Sequence, residues 1–80
     1  MLDPQEIEEW IAAGLPCEQL SVDGDGQHFQ AVIVSREFAG LNRVQRQQRV
    51  NKVLKEHFDS GVLHALSMQC LTPEETAARG

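Results

Sequence analysis

Eighty residues allow one small domain with a thin margin of stability, and no apolar run approaches the roughly 18 residues of a membrane span. Twelve acidic residues against seven Lys and Arg give a net charge of −5, which opposes non-specific binding to polyphosphates. The chain also opens without a basic-then-apolar leader, so a cytoplasmic protein without membrane contact is expected. Cys17 and Cys70 form no CxxC pair and are expected to be free thiols in a reducing compartment.

Asp3-Pro4-Gln5-Glu6 joins an N-cap carboxylate, a proline at the first helical position and a glutamate that can reach back to the cap. Ile7, Trp10, Ile11 and Leu15 follow on one helical face, and Gly14 with Pro16 ends the helix. Trp10 is read as a core anchor. Residues 18–22 alternate weakly, and Val22-Asp23-Gly24-Asp25-Gly26 is a turn leading into the apolar run 29–34, which together predict a β-hairpin. His28 stands at or near the start of the second strand. The loop lacks the downstream bidentate glutamate of a calcium loop, and its glycines join two strands rather than a strand and a helix, which excludes a dinucleotide fingerprint.

Residues 35–38 suit one helical turn, Gly40 breaks it, and Asn42 offers a second N-cap. A helix over 43–58 would place Val50, Val53, Leu54 and Phe58 on one face. Arg43, Arg46, Arg49 and Lys52 wind round its other side, a basic surface on an otherwise acidic body that suits a partner or nucleic acid. His57 suits the negative end of the helix dipole. After Gly61, a candidate left-handed cap, a third strand carries Val62, Leu66, Met68 and Cys70 on one face with His64 among them. A half-buried imidazole there is either a satisfied core residue or a ligand held for a partner. Thr72-Pro73-Glu74-Glu75 repeats the capping pattern, and residues 76–80 are expected to form a short frayed tail.

The expected order is therefore αββααβ(α): a single α+β domain over 1–80 with a three-stranded mixed sheet packed on helices. The hairpin makes the first two strands antiparallel, and a right-handed helical crossover sets the third parallel to the second.

The segment 24–35, with Phe38-Ala39-Gly40 and 43–50, resembles the middle of BolA-like proteins, and 62–68 followed by Leu71-Thr72-Pro73-Glu74-Glu75 resembles their carboxyl-terminal signature. The loop Gly-Asp-Gly-Gln-His-Phe is most similar to the bacterial IbaG/YrbA branch. This resemblance implies a class II KH-like fold and a monothiol glutaredoxin partner. It also implies a shared [2Fe–2S] cluster held with a glutaredoxin cysteine and glutathione. It implies His64 as one ligand and a hairpin-loop residue as the second; His28 is the candidate, with the Asp25 region the alternative because relatives carry a Cys or His there. Alone, the chain would be a monomer or weak homodimer. Where relatives place a tryptophan after the last cap, this chain has Thr76.

Two functions follow: a non-enzymatic adaptor in iron–sulfur trafficking or iron sensing, or a KH-like nucleic-acid-binding regulator using the basic helix 43–55. KH domains clamp nucleic acid with a GxxG loop, and the matching turn, Gly40-Leu41-Asn42-Arg43, lacks its second glycine. No nucleophile–base pair or phosphate loop supports an enzyme.

Overall fold

The computed structural model describes residues 2–79, with the backbone alone for Arg79. Chain order is α1 (Pro4–Gly14), β1 (Gln19–Gly24), β2 (His28–Val34), a 3-10 turn (Arg36–Phe38), α2 (Arg43–Val53), α3 (Lys55–Asp59), β3 (Ala65–Leu71) and α4 (Pro73–Arg79). The sheet runs β1-β2-β3, antiparallel then parallel, as the sequence predicts.

Local chemistry sets the helix starts. Asp3 accepts the Gln5 N–H at 2.9 Å while Glu6 accepts the Asp3 N–H at 3.0 Å. Asn42 and Gln45 repeat that exchange at α2, and Thr72 and Glu75 at α4. The inward faces then meet: Ile7, Ile11 and Leu15 of α1 and its cap, Phe29, Ala31 and Ile33 of β2, Phe38, Val50, Leu54 and Leu63 form one buried cluster. Alternation along β2 leaves His28, Gln30 and Val32 on the open face of the sheet. Gly14 is a packing residue as well as a stop, because a Cβ there would lie 2.6 Å from Val53 Cγ1. Ser35, fully buried, donates to the Pro16 carbonyl at 2.6 Å and accepts the Glu37 N–H at 3.1 Å, tying three segments at one end of β2.

Three expectations are corrected. The predicted helix 43–58 is two helices, because Leu54 leaves the helical region (φ −97, ψ 7) while still donating to the Val50 carbonyl, and the chain bends with Leu54 buried. The third strand begins at Ala65, after Val62 and His64. Gly61 takes φ +81 as expected, but the turn it starts buries Leu63, held by its N–H to the His57 carbonyl, and turns Val62 out to 51% exposure. Lastly, residues 76–79 are helical rather than a tail; Gly80 lies outside the described residues.

Candidate functional site

The hairpin loop is built to hold its last residue. Asp25 Oδ1 accepts the N–H groups of both Gln27 and His28 at 2.9 Å, and these donors hold its carboxyl below the usual carboxylate range. Gly26 takes φ +101. Gly24 is required by space, because a Cβ there would lie 2.5 Å from both the His28 carbonyl oxygen and Phe29 Cδ1. The imidazole of His28 is exposed, with Nδ1 4.0 Å from Asp25 Oδ2. That separation exceeds a hydrogen bond, so the loop fixes the His28 backbone while its ring stays open to solvent.

The parallel register brings the second histidine to the same place. His28 pairs with Ala65, so His64, one residue earlier, stands at the same end of the sheet. His28 and His64 line one shallow depression of about 440 Å³ with Gly26, Gln27, Val62 and Ala65. His64 is exposed and belongs to neither the apolar face of β3 nor the core, which corrects the expected half-buried placement. Neutral imidazoles in an open depression can bind an incoming metal centre. Among the described residues no three His, Cys, Asp or Glu side chains gather round one point, so further ligands would have to come from another molecule.

The thiols are elsewhere. Cys17 donates to the Leu15 carbonyl at 3.2 Å, and burial, then the Glu18 charge, raises its pKa. Cys70, half-buried at the other end of β3, is pushed up to about 11 by burial. Both are therefore protonated at neutral pH, unlike a metal-binding or nucleophilic thiolate.

The basic surface expected from Arg43, Arg46, Arg49 and Lys52 is divided. Arg46, with a side chain 14% exposed, donates to the carbonyls of Leu41 (2.9 Å) and Cys70 (3.0 Å) and to both Glu75 oxygens (2.7 and 3.3 Å). Its charge is neutralised inside the fold, and it holds Glu75 with a carboxyl pKa of about 2, the Thr72 N–H assisting. Arg49 pairs with Glu37 at 3.3 Å. Arg43 and Lys52 remain exposed and free of ion pairs among the described residues, but nine residues of helix put them on opposite sides of α2.

One contact left no sequence signal: Trp10 and His57 stack with centroids 3.6 Å apart and planes within 7°. They lie 47 positions apart in sequence, so only the packing of α1 on the α2–α3 bend joins them.

The element order, the mixed sheet with helices on one face, and the histidine-lined end define a small α+β domain of the class implied by the sequence motifs. Residues 13–75 match the description "BolA-like protein", and the chain belongs to that family. It is 36% identical over 76 residues to the acid stress protein IbaG of Escherichia coli (strain K12), covering 95% of this chain and 90% of that one. It is 41% identical over 56 residues to the DNA-binding transcriptional regulator BolA of Haemophilus influenzae, covering 70% and 53%. Among solved structures, a BolA protein homologue from Coxiella burnetii superposes with a TM-score of 0.87 at 36% identity, covering 96% of this chain and 99% of that one.

Proposed function

We propose that this protein is a non-enzymatic adaptor that pairs with a monothiol glutaredoxin and shares a [2Fe–2S] cluster, in iron–sulfur trafficking or iron sensing. The observation that carries the reading is the meeting of His28 and His64 in one open depression at the end of the sheet. Family membership and the similarity to IbaG support it. In this reading His64 and His28 would be this chain's two ligands to the cluster, with thiolates supplied by the glutaredoxin cysteine and glutathione. Histidine in place of thiolate raises a cluster's potential, which suits hand-over or sensing. Asp25 positions His28 through its N–H, and Val62 and Ala65 line the depression beside the two histidines.

The test is co-expression with a monothiol glutaredoxin. The purified complex is expected to be coloured, with a visible circular-dichroism spectrum unlike that of the glutaredoxin homodimer. His64→Ala is expected to abolish that spectrum and His28→Ala to weaken it. An unchanged spectrum in His64→Ala would remove the assignment.

The similarity to a DNA-binding regulator favours a second reading, in which α2 contacts DNA. Its available cations, Arg43 and Lys52, face opposite ways, so few phosphates could be neutralised at once. A salt titration with mixed-sequence duplex decides the point: a steep loss of affinity with salt supports DNA binding, and no affinity at low salt excludes it.

A further inference from the structure

The hairpin contains two Asp-Gly pairs, Asp23-Gly24 and Asp25-Gly26, and the fold treats them differently. In such a pair the glycine nitrogen can attack the side-chain carboxyl carbon, because no Cβ shields its approach. Attack needs the two groups held together. Asp23 Oδ1 accepts the Gly24 N–H at 2.9 Å, so the nitrogen lies beside the carboxyl carbon that carries this oxygen. The sheet does not compete for that N–H. Asp25 donates to the His28 carbonyl at 3.3 Å, and backbone groups alternate sides along a strand, so the Gly24 N–H points away from β2. Asp23 and Gly24 are both exposed, and water reaches them in a depression of about 370 Å³.

The other three aspartates are held otherwise. Asp25 Oδ1 is engaged by the N–H groups of Gln27 and His28, both beyond Gly26. Asp3 precedes Pro4, which has no N–H. Asp59 pairs with Lys55, and the N–H that follows it, of Ser60, donates to the Glu56 carbonyl at 3.0 Å.

We propose that Asp23-Gly24 is a site of spontaneous covalent modification, at which the backbone rearranges from an aspartyl to an isoaspartyl link. The Gly24 nitrogen bonds to Asp23 Cγ and gives up its proton. With one further proton from solvent, a carboxylate oxygen leaves as water and a cyclic imide remains. Water then opens the ring and the solvent proton is returned. Attack at the side-chain carbonyl restores aspartate, whereas attack at the backbone carbonyl leaves the chain running through Cγ and frees the former backbone carboxyl as the side chain.

The isoaspartyl form carries an extra methylene in the main chain. It falls where Asp23 pairs with Gln30 and Gly24 with Phe29, and where not even a Cβ fits on Gly24. The end of the hairpin must shift, which loosens the hold of Asp25 on the Gln27 and His28 N–H groups. Resting on the function proposed above, this is an ageing switch that releases His28 from its position for the cluster.

Prolonged incubation of the full chain near neutral pH, followed by peptide mapping with electron-transfer fragmentation, tests the site. In the folded chain isoaspartate is expected to form at Asp23 at least about tenfold faster than at Asp25, which must first release two N–H bonds. In guanidinium the two rates are expected to converge, since both are then plain Asp-Gly pairs. Equal rates in the folded chain, a faster rate at Asp25, or a folded chain that gains no isoaspartate while the denatured one does would overturn the proposal. Asp23→Glu keeps the charge but would have to close a larger ring, so it is expected to remove the modification. Amide hydrogen exchange reads the consequence: Gln27 and His28 are expected to exchange faster in the aged wild-type chain and not in aged Asp23→Glu. Unchanged exchange in the isoaspartyl chain would overturn the link to His28. None of these outcomes bears on the cluster reading, since neither cluster nor glutaredoxin is present.

Discussion

Gly24→Ala separates packing at the hairpin from strain in the backbone. A Cβ at Gly24 would sit 2.5 Å from the His28 carbonyl oxygen and 2.5 Å from Phe29 Cδ1, against an ordinary contact of 3.4 Å or more. The loop must open by about 0.9 Å, and the obstacles are backbone and a buried ring rather than the end of a flexible side chain. Overpacking of this kind costs about 1–3 kcal/mol. In a domain of this size that lowers Tm by about 4–24 °C. Gly40→Ala is the control: it sits at φ +80 with nothing within 4 Å of the new Cβ, so it carries backbone strain of about 1–2 kcal/mol and leaves His28 in place. Urea denaturation gives both stabilities, and titration with cluster-loaded glutaredoxin gives both affinities. Both variants are expected to lose stability, but only Gly24→Ala is expected to lose affinity as well. A Gly24→Ala chain as stable as wild type and equally able to bind would refute the reasoning that the glycine fixes His28.

Glu75, held by Arg46 and the Thr72 N–H, has its folded pKa lowered from 4.5 to about 2. Its contribution is present above the unfolded value and is lost as pH falls from about 4.5 towards about 2, so acid titration of stability should be less steep in Glu75→Gln. An identical acid limb in the two proteins would contradict the tie. Ser35→Ala leaves the Pro16 carbonyl and Glu37 N–H without their hydroxyl partner and should cost about 1–3 kcal/mol by urea denaturation; a change under about 0.5 kcal/mol would show that water replaces the hydroxyl. For Cys70, a rise from 9.0 to about 11 lowers the thiolate population about 100-fold, so alkylation of the folded chain near pH 7 should be slow and become fast in denaturant. Equal rates in the two conditions would contradict that burial.

Features set by neighbours in sequence were legible. The three N-caps, the hairpin turn and the Gly61 stop each depend on residues a few positions apart, and their chemistry reads the same in the chain as in the fold; the reciprocal Gln45 contact to Asn42 emerges only in the structure. His64 was legible as a candidate but not in its placement. Strict alternation from Val62 puts it on the apolar face, whereas the turn after Gly61 spends three residues burying Leu63 and starts the strand later. Its meeting with His28 depends on the register of a parallel pair, which no short motif specifies. Arg46 was misread for a related reason. On α2 it belongs to the exposed basic spiral, and only the docking of β3 and α4 draws it inward. The same contact accounts for α4, since Glu75 is both the capping residue and the partner of Arg46, and the helix continues to Arg79. The bend at Leu54 and the Trp10–His57 stack likewise arise from helix packing across the core.

His64 and His28 are proposed as this chain's ligands to a shared cluster. Pulsed electron paramagnetic resonance of the reduced glutaredoxin complex, with this chain's histidines labelled with nitrogen-15, tests that assignment most directly. The account predicts strongly coupled imidazole nitrogen in the wild-type complex. The His64 coupling should vanish in His64→Ala, and a second coupling should vanish in His28→Ala. A complex that holds its cluster with no coupled histidine nitrogen from this chain would contradict the account.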